Sequence, residues 1–181
     1  MKTAITIALS LGLALAHAAQ ARLGETEAQS KARYGEPNPD LTGSNDKPLL
    51  PGATEHAFLF QDWRVRAAFV NGTAVRIEYV HVPDGMPKKL TAAEIETILE
   101  AENGGRFSWR EQKPRTGSKE LNALKTLFEG RIWERSDHAE AKLIADLVLV
   151  FETRDADRLE KKLAAQAGKS QAKPASKVPG F

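Results

Sequence analysis

The chain contains no cysteine. This excludes disulfides, thiolate zinc sites, a cysteine nucleophile and a lipid-modified cysteine anchor. Long apolar runs are also missing after residue 21, so nothing beyond that point is long enough to span a bilayer, which needs about 20 apolar residues. Charge of one sign is scarce as well: 26 basic residues stand against 24 acidic ones. The first 21 residues carry only Lys2, so without them the balance is about +1. A near-neutral chain offers no electrostatic footprint for nucleic acid. Neither a Gly-x-Ser-x-Gly nor any pair of closely spaced metal-ligating histidines occurs. The sequence therefore predicts no catalytic, cofactor-binding or metal-binding residue.

What is present begins with Lys2, a mostly apolar run from Ala4 to Ala16, and a small-x-small end at Ala19-Gln20-Ala21. This is the pattern of a secretory signal peptide, and it predicts export to the periplasm or the exterior. Ala16-His17-Ala18 fits the cleavage rule too, but cleavage after Ala21 leaves Arg22 first, where the polar chain begins. The remainder is long enough for one domain, expected over 22–167. Gly168 to Phe181 is rich in Lys, Ala, Ser and Pro and predicts a disordered tail. Its lysines suit only weak contact with an anionic surface, and no stable membrane anchor is expected.

Leu23 to Tyr34 reads as a helix started at Glu25 or Thr26 and stopped by Gly35 and Pro37. The Pro-rich stretch 36–54 predicts a loop. Strands follow from His56. A change of parity at Gln61-Asp62 marks a turn, and Asn71-Gly72 marks a hairpin. Keeping one face apolar favours a three-residue hairpin loop, Val70-Asn71-Gly72. That pairs Val65 with Ile77 and sets Arg64 opposite Glu78, leaving Arg64, Arg66 and Arg76 on a solvated face. Pro83-Asp84-Gly85 reads as a turn. Leu90 to Asn103 is the strongest helix, with Thr91 as cap, Glu94 closing a capping box, and a Leu90–Ile95 staple. Strands are expected at 106–112, 132–135, 139–143 and 147–153, with a helix at 118–128 between the first two. The continuous apolar run from Leu147 to Phe151 suggests a central strand. A last helix spans Arg154 to Ala167.

The expected fold is thus α+β: an antiparallel sheet of five to six strands with helices on one face. The element order fits two tandem α-β-β-β units.

A helix ending in Tyr34-Gly35-Glu36-Pro37, followed by the Asn71-Gly72 hairpin, resembles the units of the β-lactamase inhibitor protein family. It is also similar to the small envelope lipoproteins of the outer-membrane assembly machinery. The resemblance covers residues 24–81; a protein partner in the cell envelope is expected instead from a sheet with one free face, the long Pro-rich loop and the lack of a catalytic constellation. The inhibitors carry disulfides and the lipoproteins a lipidated cysteine, and both are lacking here. No functional residue is carried over, and the chain as a whole resembles an exported bacterial protein.

Candidate binding residues are Trp109, if exposed beside Phe107, and the Arg64, Arg66 and Arg76 cluster, suited to an acidic partner. Core packing for the tryptophan and a solvated sheet face for the arginines are the simpler readings, and Glu78 among the arginines weakens a binding face. Asp84, Asp137 and His138 fall in turns that would form an acid–base site only if they converged. Turns use Asp for local hydrogen bonds more often. The functional expectation is a non-catalytic interaction module, against a small hydrolase or small-ligand binder near these turns.

Overall fold

Residues 54–81 and 131–152 form strands that present two distinct faces, and helices cover both. The computed structural model describes residues 22–41, 47–112 and 130–171, with side chains to residue 166. The expected signal peptide, the helix at 118–128 and most of the tail lie outside them.

The described elements run α1 (Glu27–Tyr34), β1 (Thr54–Phe60), β2 (Trp63–Val70), β3 (Thr73–His81), α2 (Ala92–Asn103), β4 (Trp109–Gln112), β5 (Arg131–Arg135), β6 (Glu140–Ile144), β7 (Val148–Glu152) and α3 (Ala156–Gln171). Short 3-10 turns occur at Pro39–Leu41 and Pro83–Gly85. The fold is α+β, with one antiparallel sheet in the order β1-β2-β3-β7-β6-β5-β4. Its seven strands exceed the five to six expected, since the 139–143 segment is a full strand, β6, paired on both sides. β7 is central, between β3 and β6, as its apolar run suggests. Among the described residues, no helix is long and apolar enough to cross a membrane.

The β2–β3 hairpin corrects the expected register. Asn71 and Gly72 alone form the loop, with φ of 53° and 76°, the left-handed pair that a tight hairpin turn requires. Phe69 then opposes Ala74, and the pairing shifts so that Ala68 opposes Arg76 and Val75 is the extra residue of a bulge. Beyond it Ala67 meets Ile77, Val65 meets Tyr79, and Arg66 rather than Arg64 opposes Glu78. A two-residue loop without the bulge would mix the faces; the bulge restores them.

One face carries Phe58, Val65, Ala67, Phe69, Ile77, Tyr79, Leu149 and Phe151, and is covered by α1 and α2 through Tyr34, Ile95, Ile98 and Leu99. Thr26 caps α1 in a box with Gln29, and Thr91 caps α2 in a box with Glu94. Leu90 and Ile95 are both buried, as a staple requires.

The other face corrects the expectation that all helices share one side. Leu159 and Leu163 of α3, with Leu49, Leu50 and Ala53, pack on Ala68 and Val75 there. Helical spacing shows that Leu159 and Leu163 form a stripe but not which side of the sheet receives it. Part of the Pro-rich stretch is therefore seated rather than loose, with Leu50 fully buried. Helix α3 also extends to Gln171, past the expected boundary at 167.

Candidate functional site

The apolar stripe of α2 runs Ile95, Ile98, Leu99, and its next member is Glu102. The helix thus delivers a carboxyl to the core, where it is 1 % exposed. Tyr79 Oη of β3 donates to Glu102 Oε1 at 2.8 Å, and the Leu23 N–H donates to Oε2 at 3.1 Å. Burial holds the Glu102 carboxyl up at about 7, against the downward pull of these two hydrogen bonds and of Arg135, with Glu25 adding to the rise. Burial likewise raises Tyr79 and neighbouring Tyr34 well above the usual phenol value.

Arg135 shares the parity of Trp133 on β5, so the register turns it inward. It donates to the Glu102 carbonyl at 2.8 Å and forks onto both oxygens of Asp137 at 2.8 and 2.9 Å. Its guanidinium lies 4.6 Å from the centre of the Phe107 ring. Burial alone would raise Asp137, but the Arg135 fork and the Ala139 N–H hold it below its usual value.

Glu102, Phe107, Arg135 and Asp137 line a cleft of about 590 Å³ between residues 22–25, α1, the C-terminal end of α2 and the β5–β6 turn. Its rim adds Arg22, Arg33, Glu25 and Arg106. Arg33 pairs with Glu25 Oε1, whereas Arg106 is exposed. Four guanidiniums thus face three carboxyl groups, the deepest of which is held near neutrality. Residues 24 and 25 are pinned: Gly24 N–H donates to Ala74 O and Ala74 N–H to Glu25 O, both at 2.8 Å. A smaller hollow of about 190 Å³ lies over Glu134, His138, Glu140 and Lys142.

The candidate residues named from sequence do not form one site. Trp109 is half-buried on the helix-covered face; its indole N–H donates to Leu99 O at 2.8 Å and its ring meets Phe151. Arg64, Arg66 and Arg76 lie together on the opposite face. Contrary to the solvated face expected, Arg66 is buried, bound to Glu55 and Lys47 O, and Arg76 reaches Glu152, Glu160 and Leu49 O. The 47–53 segment and α3 enclose them. Arg64 approaches Glu78 at 3.9 Å.

Asp84 and the Asp137–His138 pair sit at opposite ends of the sheet: the Asp84 turn follows β3, whereas the other turn joins β5 to β6 beside the ends of β7 and α2. Each described histidine faces a glutamate instead: His56 with Glu27, His81 with Glu94, His138 with Glu134. Among the described residues no group of three His, Cys, Asp or Glu is placed to hold a metal ion.

Sequence reasoning missed Glu102, Arg135 and Arg106. For Glu102 a signal existed, since it occupies the fourth position of the α2 stripe. Arg135 required the β4–β5 register, which no local pattern states.

Compared with protein-family models, with curated proteins and with solved structures, the chain matches none.

Proposed function

We propose that the protein is exported under its N-terminal leader and acts without catalysis, binding an acidic segment of a partner in the cell envelope through the Glu102–Arg135 cleft. The observation that carries this reading is the cleft itself. It is polar, it is flanked by Arg22, Arg33, Arg106 and Arg135, and its buried carboxyl is half-neutral near pH 7. Four guanidiniums against Glu25, Asp137 and a half-ionised Glu102 leave a modest positive excess, which suits a carboxylate-bearing peptide.

The sheet order supports the finer reading of the fold as two α-β-β-β units: β1-β2-β3 follows α1, β5-β6-β7 follows α2, and the last strands of each meet as β3 and β7. β4 then extends the second unit. This arrangement is the part of the resemblance to inhibitor-like and assembly-lipoprotein-like units that bears on partner binding.

A second reading, an enzyme using Glu102 as general acid, is favoured by the raised pKa of that carboxyl. Its two oxygens already accept from Tyr79 and Leu23, and its side chain is sealed from solvent, so a substrate proton has no path to it.

Calorimetric titration with a hexaglutamate peptide at low salt tests the binding reading. Wild type binds, and affinity falls as salt rises through 0.15 M or so. Arg106→Glu abolishes binding, whereas Arg110→Glu, on the opposite face of β4, leaves it unchanged. Equal binding by both variants, or none by wild type, contradicts the reading.

A further inference from the structure

The two N–H groups that follow Ala21 each point at a carboxylate. Arg22 N–H donates to Glu25 Oε2 at 3.3 Å, and Leu23 N–H donates to Glu102 Oε2. Gly24 and Glu25 are then fixed by their backbone bonds to Ala74. The Arg22 guanidinium lies beside Gly104, at the C-terminal end of α2, where a cation is favoured by the helix dipole.

We propose that the bond between Ala21 and Arg22 is the processing site, and that the amino group released on Arg22 remains in the cleft as an ammonium paired with Glu25 and facing Glu102. A leader peptidase supplies the hydrolysis: the C–N bond breaks, the hydroxyl of water joins the Ala21 carbonyl carbon, and the remaining proton of that water goes to the Arg22 nitrogen. At neutral pH this amine takes a further proton, since its ordinary pKa is about 8.

Cleavage after Ala18 would leave Arg22 N as a neutral amide, and the local charge would not change. Cleavage after Ala21 places a cation where a weak amide hydrogen bond stood. Glu25 accommodates it, because Arg33 engages Oε1 and Arg22 N engages Oε2. The other charged groups of the cleft are Glu102, Asp137, Arg33, Arg106 and Arg135. Arg135 is held by Asp137 and the Glu102 carbonyl. The new charge favours the ionised form of Glu102. It also adds a cation to the cleft, so the mature protein carries more positive charge there than its precursor. The proposal rests on the exported-and-processed part of the reading above and needs no ligand for its test.

Intact mass of the protein recovered from the exporting cell tests the cut, with Arg22 expected as the first residue; a chain beginning at Ala19 overturns it. The docking is tested separately with two purified proteins of chosen N-terminus, one beginning at Arg22 and one at Ala19. The amine gains a partner on folding, so its pKa rises, and the stabilisation is complete below about pH 8 and lost as pH climbs through the raised value. The Arg22 form should therefore melt about 2–4 °C higher at pH 7. The gap should close by about pH 10, on acetylation of the amine, and in Glu25→Gln. Should Glu25→Gln fail to fold, acetylation alone decides. Equal melting of the two forms, or a gap that survives acetylation, overturns the docking.

Discussion

Glu102 is the residue on which the chemistry of the cleft turns. It stands in a stripe otherwise apolar, accepts from Tyr79 and Leu23, and keeps a proton that the unfolded chain gives up at lower pH. Its ordinary value is 4.5 and its folded value about 7. The folded state binds the extra proton between these limits, so stability falls as pH rises through that window, by about 3 kcal/mol in all. Glu102→Gln keeps an acceptor for Tyr79 and removes the ionisation. Urea unfolding at pH 5 and pH 8 should show a loss in wild type that is absent in the variant; equal slopes would contradict the burial account. The same reasoning explains what sequence could and could not reveal. Position 102 was legible as inward-facing from Ile95, Ile98 and Leu99, but a charged residue there reads as the end of the stripe. Arg135 was beyond reach, because its partners Asp137, Phe107 and the Glu102 carbonyl converge only once β5 is in register.

At the scale of elements, local chemistry was readable wherever it is self-contained. Thr91 and Glu94 form their box as spaced, and Gln61-Asp62 turns the chain between Phe60 and Trp63. The Asn71-Gly72 hairpin was legible in place but not in register, because its two-residue loop depends on the bulge at Val75 to return side chains to their faces. Deleting Val75 removes the extra residue and leaves regular pairing, with Ala74, Ile77 and Tyr79 still on one face and Arg76 and Glu78 on the other. We expect unfolding by circular dichroism to stay cooperative, with a lower midpoint because Val75 no longer packs with Ala68 and Leu50. Loss of the cooperative transition would show that the bulge itself is needed to hold the two faces. A side of the sheet is a still longer-range property: Leu159 and Leu163 mark α3 as amphipathic, yet only Ala68, Val75 and Leu50 decide where it docks.

At the scale of the molecule, the two faces have separate tasks. One, under α1 and α2, holds the main core and opens at its end into the cleft. The other holds Arg66 and Arg76 in ion pairs beneath α3 and the 47–53 segment. Disrupting the second should cost stability without touching the first. Leu159→Asp should lower the urea midpoint while leaving hexaglutamate affinity intact, since a packing loss on the opposite face of the sheet adds independently of the cleft. A parallel fall in affinity would mean that the faces are coupled. The central claim is that the cleft, and not the outer edge of the sheet, meets the partner. A benzophenone side chain placed at Phe107, on the cleft, and another at Leu59, exposed on β1, put this to direct trial in exporting cells. The account predicts a discrete crosslinked partner from position 107 that disappears with Arg106→Glu, and none from position 59. A partner captured from position 59 alone would contradict it.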